Sequence, residues 1–136
     1  MMTTEDVHDR LETLSRKHAI KIREVRRYIH RYPELSGYEY RTTEFLAEII
    51  SDLGLKPTLA EDNRGLFVDI GEPRELGRTA IRADIDALPI QTMVQHPYAS
   101  GTDQVMHACG HDAHAAMAYG AAAILTELAS EGMAVN

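Results

Sequence analysis

From Thr4 to Tyr32 the chain keeps the period of one long amphipathic helix. Apolar side chains fall at Val7, Leu11, Leu14, Ile22, Val25 and Ile29, with His18 on the same stripe. Thr3 or Thr4 is placed to cap its start, and Glu5 and Asp6 favour the positive end of the helix dipole. Pro33 stops it, because the residue before a proline avoids helical geometry.

The rest of the chain alternates helix with strand, an α/β pattern. Ser36 and Glu39 have capping-box spacing, so a second helix is expected to follow, burying Thr42, Phe45, Leu46, Ile49, Ile50 and Leu53. Gly54 is placed to end it in a left-handed conformation. Residues 65–70 and 78–84 read as two strands of a hairpin across a polar turn at 71–77. Lys56 to Ala60 reads as a further short strand. Leu88 to Met106 reads as a long loop, a length that inside a compact domain often serves function. From Ala113 to about Ala129 an alanine-rich helix is expected, with the stripe Met117, Ala121, Ile124, Leu125 and Leu128. Its small residues permit close approach of a neighbouring element.

Charge narrows the partners. The formal net charge is −7, and such a surface repels phosphate backbones, so nucleic-acid binding is not expected. The basic cluster from Lys17 to Arg31 is interleaved with apolar residues at helical spacing and reads as a solvated helix face. No apolar run approaches the roughly 20 residues that span a bilayer. The acidic N-terminus lacks the layout of a signal peptide. One cysteine cannot form an internal disulfide, which fits a reducing compartment. A cytoplasmic protein without a membrane partner is expected.

The chemistry concentrates in Met106-His107-Ala108-Cys109-Gly110-His111-Asp112-Ala113-His114. A thiolate beside an imidazole suits a borderline-soft ion such as zinc. In extended backbone, side chains two apart point the same way, so Cys109 and His111 can face one ion. Cys-x-His spacing alone is a weak signal and also fits a buried cysteine with an incidental histidine. His111 and His114 are spaced to share a helix face. Asp112 reads either as a helix cap or as a carboxylate that orients a metal-binding imidazole. His107 reads as ligand, substrate contact or plain loop residue. Asp84 and Asp86 end the 78–84 segment, where two carboxylates are costly without a cation or donors to neutralise them. A cysteine nucleophile with His111 or His107 as base is a weaker reading.

Three blocks together resemble the M20 metallopeptidases, in the amidohydrolase branch. They are His30-Arg31-Tyr32-Pro33-Glu34-Leu35-Ser36 with Glu39 and Thr42, Arg82 to Ile90, and Met106 to His114 with Ala116 and Met117. That branch includes hippurate hydrolases, N-acyl-amino-acid amidohydrolases and auxin-conjugate hydrolases. The resemblance implies a zinc-exopeptidase-like catalytic domain with helices packed on a mixed β-sheet, of which residues 1–136 are the N-terminal part, without the lid domain. It implies that Cys109 and His111 are metal ligands and that Asp86 is an active-site residue that orients a catalytic glutamate. One or two divalent ions, manganese or zinc, and a small N-acyl amino acid substrate are implied with them. Asp84 stands where other branches place a histidine, so it is not assigned to the metal. Asp112 and His114 are implied as residues around the ligands, and Ala113 replaces a glycine common in relatives.

Members of the family are several hundred residues long. They continue into a Glu-Glu pair, two further histidine ligands and the lid. No Glu-Glu pair occurs in this chain. An incomplete chain, inactive alone, is therefore expected. The alternative is a non-catalytic remnant that self-associates or pairs with a complementary C-terminal fragment.

Overall fold

The computed structural model describes residues 3–72 and 77–135. Three helices pack around one core, beside a small two-stranded antiparallel sheet in place of the expected mixed sheet. Helix α1 spans Thr4–Arg31, close to the expected limits. The Thr3 hydroxyl accepts from Asp6 N at 3.1 Å, and Asp6 Oδ2 accepts from Thr3 N at 2.8 Å. This reciprocal pair satisfies two donors that the first turn would leave free. The buried face is Leu14, Val25, Ile29 and His30.

Helix α2 spans Tyr40–Ser51, but the Ser36–Glu39 box does not cap it. Glu39 Oε2 accepts instead from Gly37 N at 2.9 Å. The capping carboxylate comes from Glu34, which accepts from Arg41 N at 3.1 Å, Thr42 N at 2.7 Å and the Thr42 hydroxyl at 2.8 Å. The turn after Pro33 folds Glu34 back over the helix start, so a residue several positions upstream reaches donors that Ser36 does not. Thr43 is buried here, whereas Phe45 and Leu53 are only partly so. The Phe45 ring stacks on Tyr28 of α1 at 3.8 Å between centroids. Gly54 has φ +80° and follows the helix as expected.

Strands β1 (Thr58–Leu59) and β2 (Leu66–Phe67) pair antiparallel, with Thr58 opposite Phe67 and Leu59 opposite Leu66. The hairpin expected between 65–70 and 78–84 is not formed. The ladder of β2 goes to β1, and among the described residues 78–86 make no backbone–backbone hydrogen bond. That segment runs extended, and Arg78 pairs with Asp69 at 3.2 Å. Its apolar side chains, including Ala83 and Ile85, line a cleft of about 430 Å³ with Leu46, Ile50, Tyr119 and Leu125. Residues 78–82 and 84 are exposed, and Ile85 is the side chain of this stretch that packs against the core. The expected turn lies partly on residues 73–76, outside the described residues. Leu35 makes a parallel bridge to Ala87, and Leu88 an antiparallel one to Met106.

The latter bridge closes the base of the expected long loop. Arg31 Nη1 donates to Pro97 O at 2.6 Å, Gly101 N donates to Arg31 O at 2.8 Å, and the Arg27 guanidinium lies 4.6 Å from the Tyr98 ring. The loop is therefore pinned along the end of α1. Among the described residues no helix is long and apolar enough to cross a membrane.

Helix α3 spans His111–Ser130 and starts two residues earlier than expected. Its buried face also differs. Met117 is 66% exposed, and the buried residues are Asp112, Ala115, Ala116, Tyr119, Gly120, Ala122, Ala123 and Leu128. The reason is the closeness of α1. A Cβ built on Gly120 would lie 2.5 Å from Ile22 Cδ1 and 2.9 Å from its Cγ1. Only the small-residue face fits there, so the larger side chains turn elsewhere.

Charged pairs flank that contact. Glu127 accepts from Lys17 Nζ at 2.8 Å and meets His18 Nε2 at 2.6 Å, and Arg10 pairs with Glu131. The hydrogen bond from Lys17 holds the Glu127 carboxyl below its ordinary value of 4.5.

Gly120→Val is expected to lower stability by about 1–3 kcal/mol through overpacking against Ile22, and Ile22→Ala in the same chain to restore part of it. Denaturant unfolding measures both. A depressed carboxylate contributes above its unfolded value and loses that contribution as pH falls through the folded one. The stability gap between the native chain and Glu127→Gln should therefore be full above the ordinary carboxylate value and close as the pH falls below it. A gap that grows on acidification would contradict this assignment.

Candidate metal centre

The site is assembled where the end of the extended 78–86 segment meets the start of α3. Gly110 precedes the helix with φ +91°, in left-handed backbone that other residues adopt with strain. This turn places His111 as the first helical residue. Its Nδ1 donates to Asp86 Oδ1 at 2.8 Å and lies 3.0 Å from Asp86 O. With the proton on Nδ1, the lone pair of Nε2 is left for an ion or another donor. Asp84 Oδ2 stands 4.0 Å from that Nε2. The Arg82 guanidinium, bonded to Asp84 at 2.9 Å, holds the Asp84 carboxyl below the usual carboxylate range. The His114 ring centroid is 5.9 Å from that of His111.

The structure thus brings together Asp86, His111, Asp84 and His114. Cys109 stands on the loop into α3 with its thiol free and exposed. Among the described residues no group of three or more His, Cys, Asp or Glu side chains is placed to hold a metal ion. What converges is a partial donor set, the oriented imidazole of His111 beside carboxylates, with the thiol of Cys109 two residues earlier in the chain. Those donors suit a borderline-soft dication in kind.

Asp112 is not the helix cap, since it lies inside α3 after Gly110. It is 1% exposed, and its Oδ2 accepts from His30 Nδ1 at 2.9 Å and Arg26 Nε at 3.2 Å. So it orients an imidazole, but one on α1. The roles of His30 and Arg26 were not visible in the helical period alone. The available signal was their spacing of four, which puts both on one face of α1. His107 is buried, and neither ring nitrogen has a hydrogen-bond partner. Burial pushes its imidazole down to about 4, against the opposing field of Asp112.

Residues 80–136 match the model of peptidase family M20/M25/M40. The N-acetyl-L-cysteine deacetylase of Bacillus subtilis is 45% identical over 103 residues, 76% of this chain and 25% of its own length. A solved Bacillus subtilis structure, described as a dinuclear metal binding peptidase from the M20 family, superposes with a TM-score of 0.75. It is 36% identical and covers 82% of this chain and 32% of the other. Over most of its length the chain is similar to the M20 peptidases. Thermostable carboxypeptidase 1 of Saccharolobus solfataricus is a further relative, 43% identical over 108 residues, 76% of this chain and 27% of its own. The chain spans about a quarter of the length of these curated relatives. Most of these relatives carry hydrolase names, and the solved neighbour is described as binding two metals.

Gly110→Ala should cost about 1–2 kcal/mol, the penalty for a Cβ in left-handed backbone. Nothing lies within 4 Å of that Cβ, so strain alone is tested. Thermal unfolding of the variant reads the loss, and an unchanged midpoint would contradict the observed turn.

Proposed function

We propose that this chain carries one side of the divalent-metal centre of an amidohydrolase that cleaves the amide bond of small N-acyl amino acids. The carrying observation is His111, whose Nδ1 is engaged by Asp86 so that Nε2 is the nitrogen left for an ion. In this reading Cys109 and His111 hold the ion, manganese or zinc, in a centre of one or two metals. The ion supplies Lewis acidity at the amide carbonyl and brings water into reach of deprotonation near neutral pH. Asp86 is then a positioning residue: its carboxylate fixes the tautomer and tilt of His111. In the same reading it orients a general base supplied from outside residues 1–136. The exposed thiol of Cys109 can reach an ion without disturbing the core.

Residues 1–136 are, in this reading, the N-terminal part of the catalytic domain. A catalytic zinc centre takes three protein ligands plus water, so two ligands bind weakly. The protein works in the cytoplasm on a soluble substrate. The open cleft beside 78–86 supports a second reading, in which the chain is a non-catalytic remnant that pairs with a complementary C-terminal polypeptide.

Titration with cobalt(II) tests the ligands. A thiolate-to-cobalt charge-transfer band is expected, abolished in Cys109→Ser and weakened at least tenfold in affinity in His111→Ala. A band that survives Cys109→Ser contradicts the assignment. The isolated chain should release no amino acid from N-acyl substrates with manganese or zinc present. Metal-dependent turnover by this chain alone would overturn the partial-site reading.

A further inference from the structure

The carboxylate of Asp112 is almost fully buried, at 1% exposure, beside the residue that forms the candidate ligand. Burying a carboxylate is costly unless it is paired, and an apolar side chain of similar volume would stabilise the helix contact as well or better. What a buried ion pair adds is direction. Asp112 Oδ2 receives two donors from α1, His30 Nδ1 at 2.9 Å and Arg26 Nε at 3.2 Å. These residues sit one turn apart on that helix. They grip the first turn of α3 from one side, while Asp86 holds His111 from the other. Between these grips the chain has only one residue step, and ahead of them is the left-handed Gly110, whose missing side chain gives the helix no cap. Without the first grip, the turn that carries His111 keeps its backbone bonds to Gly110 O and the contact of His111 with Asp86, but loses its tie to α1 through Asp112.

We infer that His30 and Asp112, assisted by Arg26, are positioning residues that fix the orientation of His111 by clamping the first turn of α3 to α1. The inference rests on the reading of His111 as a metal ligand only for its functional consequence; the clamp itself concerns the ring's orientation in the chain as it stands. A clamp predicts that loss of the Asp112–His30 bond loosens His111 while α3 stays folded. A purely structural pair would lower stability and leave the His111 ring unchanged. The donor also need not be an imidazole, because any side-chain N–H of similar reach serves Asp112.

The test uses the 136-residue chain, with nitrogen-15 NMR of the His111 ring and cobalt(II) affinity as readouts and far-UV circular dichroism as the check on folding. In the native chain His111 should show one tautomer, with the proton on Nδ1. In His30→Leu and Asp112→Asn the single tautomer should give way to a mixture, amides 111–114 should exchange at least tenfold faster, and cobalt affinity should fall roughly 10–100-fold. His30→Gln, whose amide can donate to Asp112, should restore much of both signals. Glu131→Gln, which removes the Arg10 pair at the far end of α3, should leave His111 unmoved. A single Nδ1–H tautomer and native cobalt affinity in both His30→Leu and Asp112→Asn would overturn the inference. A tautomer that changes while the native chain binds no cobalt would uphold the clamp and defeat the ligand reading.

Discussion

The close crossing of α1 and α3 is the constraint on which the rest of the molecule depends. Ile22 fills the space above Gly120, and the alanines around it let the two backbones approach. Lys17, His18 and Arg10 tie the far end through Glu127 and Glu131. Asp112 ties the near end through His30 and Arg26. With α3 held at both ends, its first residue is delivered to the end of the 78–86 segment, where Asp86 waits. The position of His111 is thus a consequence of helix packing, and the candidate chemistry inherits its geometry from alanines and a glycine.

Much of this was legible in the order of residues. The period of α1, its Thr3 cap and its stop at Pro33 are local properties, and local properties survive folding. The same holds for α2 and for the turn at Gly54. The capping of α2 by Glu34 was hidden because the chain doubles back after Pro33, a path that spacing between Ser36 and Glu39 does not encode. The α3 face was misjudged for a related reason. Hydrophobicity favours Met117 as a buried residue, but the neighbour comes too near for methionine, and steric fit outranks apolar content. The hairpin from 65–70 to 78–84 failed because a strand pattern specifies a tendency to pair, not the partner.

Of the site, the cluster of donor residue types was readable, but its wiring was not. The sequence placed Asp112 either at a cap or on an imidazole of the same cluster. The fold sends it across to α1, 82 residues away in the chain. The contact of Asp86 with His111 spans 25 residues and arises only when 78–86 lies against the helices. His107 was open to three readings, and the fold buries it with both ring nitrogens unpartnered. Long-range contacts of this kind depend on topology, and no local period announces them.

Family likeness and geometry meet at one point. The family match begins at residue 80 and so contains both carboxylates and the whole Cys-Gly-His segment. The geometry turns one ring nitrogen of His111 inward to a carboxylate and leaves the other outward. These two facts make the joint grip of Cys109 and His111 on one ion the central claim. X-ray absorption at the zinc edge of the zinc-loaded chain tests it most directly. The account predicts a single sulfur at about 2.3 Å together with imidazole scattering, and loss of the sulfur in Cys109→Ser. A zinc surrounded only by nitrogen and oxygen, with the thiol free, would contradict it.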